Sequence, residues 1–325
     1  MMLTGCTYNA DVRSGSSNTT VPTPYDFKDD YNYGSGRIID FDDDLLDRHT
    51  PAPQSNETIR NTEVTPDQIQ VLYLWEQDNM PSVTTPTYSA FDPPDFQPYI
   101  TCIPVNEHTK VKGAVVLLAG GAFQIRGNYT DTLPTTAHLR ELGFRTFIVD
   151  YRLRPYTQQE GALDVARAVR FIRQHADAYG IYPEYIAVMG YSAGGIQAGE
   201  FFLDFDEDIK GDVLDKRYRT DALDQIPARA AACGMIYSFY GRLSVASLDE
   251  EELAQGDLPP TFYCYGTEDP FYDQFEAQYD LIQTLIPVRR IVLDKWPHGF
   301  GGDGDWVEDY AVWLEQIFHA NRNKI

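Results

Sequence analysis

From residue 69 onward the chain alternates between two kinds of segment. Short apolar runs rich in β-branched and aromatic residues predict strands over residues 69–75, 99–105, 114–118, 144–149, 185–189, 231–237, 261–265 and 288–293. The run Ala114-Val115-Val116-Leu117-Leu118 is apolar without a break and closes on Ala119-Gly120-Gly121-Ala122, the pattern of a strand covered on both faces. Between the strands the apolar spacing lengthens and predicts helices over 135–142, 160–178, 193–203, 273–285 and 306–319. In the helix 160–178 the apolar stripe holds Leu163, Ala166, Val169, Ile172 and Ala176, with Arg167, Arg170 and Arg173 outside it. Strands alternating with helices imply an α/β architecture, a mainly parallel sheet with helices on both faces.

Residues 1–64 lack this periodicity. They are rich in Ser, Thr, Asn and Pro, then acidic and Tyr-rich, and read as an N-terminal arm or linker to a folded domain over 65–325. Their carboxylates lack the loop spacing of a calcium motif. Leu3-Thr4-Gly5-Cys6 resembles a lipobox, in which Cys6 would carry a lipid anchor; only Met1 and Met2 stand before it, without the charged and apolar regions of a signal peptide. The expected location is extracytoplasmic if that tetrapeptide acts as a lipobox, and cytoplasmic otherwise. Residues 204–224, acidic and polar, read as a surface excursion or a small lid.

Composition narrows the function. A net charge of −23 over 325 residues repels phosphate backbones and anionic membrane surfaces, and disfavours polyanionic substrates. No stretch approaches the ~18 apolar residues of a membrane span. Cys102, Cys233 and Cys264 lie in or beside apolar strands and are expected as buried free thiols. Nucleic acid is therefore not an expected partner; the oligomeric state is left open.

The candidate chemistry begins with Gly190-Tyr191-Ser192-Ala193-Gly194, a G-x-S-x-G placed between a predicted strand and a predicted helix. A strand that turns sharply into a helix strains the Ser backbone and lifts its hydroxyl clear, and glycines two before and two after relieve the crowding. A serine hydroxyl becomes a useful nucleophile only when a base takes its proton. In chain order the partners follow as acid and then His. Asp269 is the candidate acid, directly after the strand 261–265, with its neighbour Glu268 as rival. His298, in Pro297-His298-Gly299-Phe300 after the strand 288–293, is the candidate base. The oxyanion needs backbone donors already in place. Ala193 is expected to supply one and the segment Gly120-Gly121-Ala122-Phe123 the others. This chemistry requires neither a cofactor nor a metal.

With these residues in view, the chain resembles the bacterial acetyl esterase branch of the α/β hydrolases, near the hormone-sensitive-lipase-like and carbohydrate esterase groups. The resemblance covers about residues 69–320. It rests on Ala119-Gly120-Gly121-Ala122-Phe123, Asp150-Tyr151-Arg152-Leu153, the Ser192 pentapeptide, Gly266-Thr267-Glu268-Asp269-Pro270 and Pro297-His298-Gly299-Phe300. It implies the α/β-hydrolase fold and narrows the oxyanion donors to Gly121 and Ala122, with Ala193. Such esterases open the oxyanion segment on His or Pro, where this chain has Ala119, which bears on how the loop is braced. The implied activity is hydrolysis of short acyl esters through an acyl-enzyme, acetyl groups on xylan or other plant glycans included. Of the aromatics expected near the mouth (Phe123, Tyr191, Tyr237, Tyr240, Trp296 and Phe300), Phe123, Tyr191 and Tyr240 are the substrate-binding candidates. A peptidase or a lipase is a variant of the same chemistry. A non-catalytic hydrolase fold used for binding is the alternative from another class.

Overall fold

A computed structural model describes residues 52–322 except 54 and 87–90. Cys6 and the acidic runs of the arm lie outside the described residues. The elements in chain order are β1 (Gln70–Tyr73), β2 (Tyr99–Ile103), β3 (Gly113–Leu118), α1 (Thr132–Leu142), β4 (Phe144–Asp150), α2 (Gln158–Gln174), α3 (Ala176–Tyr179), β5 (Ile186–Tyr191) and α4 (Ala193–Glu200). Then follow β6 (Ala232–Ile236), the short hairpin β7 (Gly241–Arg242) and β8 (Val245–Ala246), α5 (Glu250–Gln255), β9 (Thr261–Gly266), α6 (Tyr272–Ile282), β10 (Val288–Leu293) and α7 (Trp306–Arg322).

Eight strands form one sheet in the order β1-β2-β4-β3-β5-β6-β9-β10. β1 and β2 join antiparallel and β2 meets β4 antiparallel; every other pair is parallel. β3, the unbroken apolar run, is buried along its whole length. The helices form two layers, α1 packing with α7 and α2 with α4. The chain passes from β3 to β4 on one side and returns to β5 on the other. The carboxyl ends of β3 and β5 therefore flank the point where the strand order reverses, the place where open α/β sheets form their ligand sites. Leu118 pairs with Gly190 there, which sets the segment 119–123 beside Ser192.

Of the segment assigned to the N-terminal arm, Glu57 accepts a hydrogen bond from Tyr73 N–H, Thr58 bridges to Tyr73, and Ile59 is buried. α2 begins on a capping box, Thr157 with Glu160. Its Arg167 and Arg170 lie outside the apolar stripe but are buried. The reason is the excursion after α4, which covers the polar face of α2. Asp221 pairs with Arg167 at 2.8 Å, and Ile226 O accepts from Arg170 at 2.9 Å. Residues 204–224 are thus held against a helix by paired charges. α4 is shorter than its predicted 193–203, because a single π-helical turn, Phe201–Phe205, replaces its last turn. Cys102, Cys233 and Cys264 are buried free thiols, and burial pushes the first two up to about 12. No helix among the described residues is long and apolar enough to cross a membrane.

Candidate active site

Ser192 stands between the end of β5 and the start of α4 with φ 48° and ψ −117°. A non-glycine residue held in that region costs about 1–3 kcal/mol and persists only where its surroundings fix it. They do so here: Ser192 N–H donates to Ile236 O at 3.0 Å, and Ser238 Oγ donates to Ser192 O at 2.7 Å. The flanking glycines are required by space. A Cβ on Gly190 would lie 2.2 Å from Gly194 O, and one on Gly194 would lie 2.1 Å from Leu118 O.

β9 and β10 bring in the other two side chains. His298 Nε2 lies 2.9 Å from Ser192 Oγ, and His298 Nδ1 lies 2.7 Å from Asp269 Oδ2. The Asp269 side chain is fully buried and its other oxygen accepts from Phe271 N–H at 2.8 Å. Glu268 is exposed, and among the described residues only its backbone N–H is engaged, donating to Trp296 O. The structure therefore brings Asp269, and not Glu268, to His298. The ring of His298 is flanked by Tyr237 and Phe271, with centroids 4.9 and 5.5 Å away. Its side chain keeps 28% exposure, so an incoming group can reach it.

The loop after β3 runs through three positive φ values, Gly121 at 127°, Ala122 at 56° and Phe123 at 57°. The backbone N–H groups of Gly121, Ala122 and Ala193 have no acceptor among the described residues. Gly120 N–H is taken, donating to Asp131 Oδ2 at 2.7 Å. Bracing comes also from Tyr151 OH, which donates to Ala119 O at 2.7 Å, and from Arg154, whose N–H donates to Phe123 O and whose guanidinium donates to Ala122 O. An Ala in the opening place of the loop is thus compensated by partners from elsewhere in the chain.

The three candidate substrate-binding aromatics are corrected. Tyr191 is fully buried and its hydroxyl donates to Thr135 Oγ1, so its ring points into the core. Tyr240 is fully buried, 2.8 Å from Thr261 Oγ1. Phe123 turns its ring inward against Tyr151, leaving its neighbours Ala122, Gln124 and Ile125 exposed. Side-chain alternation explains the first: Ser192 faces the site, so the residue before it faces away. Asp131, Tyr237 and Ser238 touch this constellation and carry no motif. Asp131 sits in the polar run Asn128-Tyr129-Thr130-Asp131, where nothing in sequence marks a buried carboxylate. Among the described residues no group of three or more His, Cys, Asp or Glu is placed to hold a metal ion.

A strained Ser at a strand–helix turn, a His within hydrogen-bond reach and a buried Asp behind it, all at the carboxyl ends of a parallel sheet, make this chain an α/β hydrolase by fold. Comparison with known proteins agrees. Residues 102–222 match the family model described as BD-FAE. A segment of 79 residues is 35% identical to the probable carboxylic ester hydrolase LipM of Mycobacterium tuberculosis, covering 24% of this chain and 18% of that protein. A segment of 82 residues is 30% identical to an acetylxylan esterase of Xylanibacter ruminicola, covering 25% of this chain and 17% of that protein. The chain thus spans less than a fifth of the length of these relatives. The crystal structure of an acetyl ester-xyloside bifunctional hydrolase from Caldicellulosiruptor lactoaceticus superposes with a TM-score of 0.57 at 19% identity, covering 78% of this chain and 97% of that one, a likeness of fold.

Proposed function

We propose that this protein is a serine carboxylic-ester hydrolase that works through an acyl-enzyme on short acyl esters. The observation that carries the reading is the unbroken hydrogen-bond line from Asp269 through His298 to Ser192, at 2.7 and 2.9 Å. In this mechanism His298 Nε2 takes the proton of Ser192 Oγ as that oxygen attacks the ester carbonyl. Asp269 holds the ring in the tautomer that leaves Nε2 free to accept, and stabilises the imidazolium once it forms. The negative charge that develops on the carbonyl oxygen is met by the N–H groups of Gly121, Ala122 and Ala193. The intermediate collapses, the alcohol leaves with the proton from His298, and water repeats the sequence to release the acid.

An acetyl group carried on xylan or another plant glycan fits as substrate. Two proteins similar in part or in fold bear names that state such esters, and a net charge of −23 disfavours a polyanionic one. Hydrolysis of 4-nitrophenyl acetate tests the reaction: wild-type turnover is expected, with a loss of about 10⁴-fold or more in Ser192→Ala. Wild-type protein inert toward every short acyl ester overturns the reading. Acetylated xylan, feruloyl esters and 4-nitrophenyl esters of rising acyl length, compared by kcat/KM, rank the substrate classes. Preference for an eight-carbon over a two-carbon acyl chain excludes the acetyl assignment.

A further inference from the structure

Asp131 is 4% exposed and pairs with no Lys or Arg among the described residues. Its hydrogen bonds come from uncharged donors: Gly120 N–H at 2.7 Å, Tyr237 O–H at 2.6 Å and Thr130 O–H at 3.1 Å. These partners belong to different segments. Gly120 immediately precedes Gly121 and Ala122, whose N–H groups have no acceptor among the described residues. Tyr237 directly follows β6, is held at φ 38°, and sets its ring edge-on to His298 at 4.9 Å. Its hydroxyl, while donating to Asp131, accepts from Gly301 N–H at 3.2 Å, three residues beyond His298. Gly302 N–H donates to Thr130 O at 3.3 Å and closes the ring of contacts. One carboxylate and one phenol thus join the loop after β3, the end of β6 and the loop that carries His298.

Ser192 and Ala193 sit on one turn, His298 on another, and Gly121 and Ala122 on a third; Ile236 O and Ser238 Oγ, on either side of Tyr237, hold the N–H and carbonyl of Ser192 and tie the first turn to the end of β6. The mutual alignment of these turns within a fraction of an ångström needs something that spans all three. A hydrogen bond to a buried charged acceptor is short and strong, and orients the peptide that makes it. With Gly120 N–H fixed on Asp131, the next two peptides are free to aim at the site.

We propose that Asp131 and Tyr237 are positioning residues, which hold the Gly121 and Ala122 N–H groups in register with Ser192 and His298. The proposal rests on Ser192 being the reacting nucleophile of the esterase reading. Displacing such donors by about 1 Å costs on the order of 10²-fold in rate.

The test is the rate at which a fluorophosphonate probe modifies Ser192. The Oγ–P bond forms, fluoride leaves and the proton passes to His298, so no ester substrate needs to be known. Asp131→Ala is expected to slow labelling by about 100-fold and Tyr237→Phe by about 10-fold. Asp131→Asn, whose amide oxygen still accepts from Gly120 N–H, is expected to recover part of the loss. Tyr263→Phe removes another fully buried tyrosine hydroxyl, one bonded to Gln278 at 3.0 Å, and is expected to label at the wild-type rate. With 4-nitrophenyl acetate the loss should fall on kcat, with KM within about twofold. Folded Tyr237→Phe that labels as fast as wild type overturns the proposal, and so does Tyr263→Phe slowed equally, which would reveal general loosening. Because Tyr237→Phe deletes a single oxygen, the test holds even where Asp131→Ala fails to fold. Wild-type protein that labels on Ser192 but hydrolyses no ester defeats the esterase reading and leaves positioning to be judged by the labelling rates. Wild-type protein that does not label overturns both.

Discussion

Two networks of buried carboxylates differ in the partners they keep. At the candidate active site Asp269 meets His298 and Asp131 meets a phenol and a peptide N–H. On α2, Asp164 accepts from Arg152 Nη2 and Nε at 2.8 and 2.9 Å and from Trp75 Nε1 at 2.7 Å. Arg152 goes on to donate to Pro81 O and Glu160 O, and Glu160 holds Ser82 and Thr84. The Arg152 guanidinium is spent on fixed carboxylate and carbonyl acceptors, so the α2 network ties segments of the fold together. In the proposed mechanism the His298 imidazole takes up and returns a proton, so the Asp269 network changes state during the reaction. Both are buried carboxylates; under the proposed mechanism the partner decides whether a carboxylate fastens the fold or serves the chemistry.

That contrast breaks if the two networks respond alike to substitution. The largest effect is expected for Asp269→Asn. It keeps the shape of the side chain but favours the wrong imidazole tautomer, and kcat for 4-nitrophenyl acetate should drop by about 10³–10⁴-fold. Thermal unfolding should move little by comparison. A melting temperature that falls as far as activity does would make Asp269 architectural.

Next in size is Arg152→Met, which leaves Asp164 buried without its cation. Removing one partner of a buried pair costs about 3–5 kcal/mol. The prediction is a large fall in denaturant midpoint with kcat of the folded fraction within about twofold of wild type. Unchanged stability would contradict the fastening role.

The smallest effect sharpens the comparison with a third group, Glu200 and Asp206, which form no ion pair among the described residues. Burial, with nearby acidic charge, raises Glu200 to about 7 and Asp206 to about 7. The folded state then binds more protons than the unfolded one between the ordinary carboxylate range and about pH 7. Their contribution to stability is fully present below the unfolded values and is lost as the pH rises through about 7. The melting temperature should therefore be a few degrees higher at pH 5.5 than at pH 8, and Glu200→Gln should shrink the difference. A melting temperature that rises from pH 5.5 to pH 8, or a gap that Glu200→Gln leaves intact, would contradict this assignment.

The sequence made some of this molecule legible and hid the rest for identifiable reasons. Strand positions could be read because parallel strands buried on both faces leave continuous apolar runs, as over β3 and β5. That Ser192, Asp269 and His298 would converge could be read because each follows a strand in a local pattern that the turn itself demands. The burial of Arg167 and Arg170 could not, since it depends on a segment more than thirty residues away folding back over α2. Asp131 was invisible for the same reason: its partners Gly120 and Tyr237 converge only in the folded chain. Tyr191 and Tyr240 were misread because aromatic character marks both core and mouth, and only the direction of the side chain separates them.

The most direct test of the central claim is peptide mapping after reaction with a fluorophosphonate. The account predicts one adduct, on Ser192, in wild-type protein, and a rate reduced by at least about 10³-fold in His298→Ala. An adduct on another residue, or equal labelling of Ser192 in wild type and His298→Ala, would contradict the claim that the 2.9 Å contact between His298 and Ser192 activates the nucleophile.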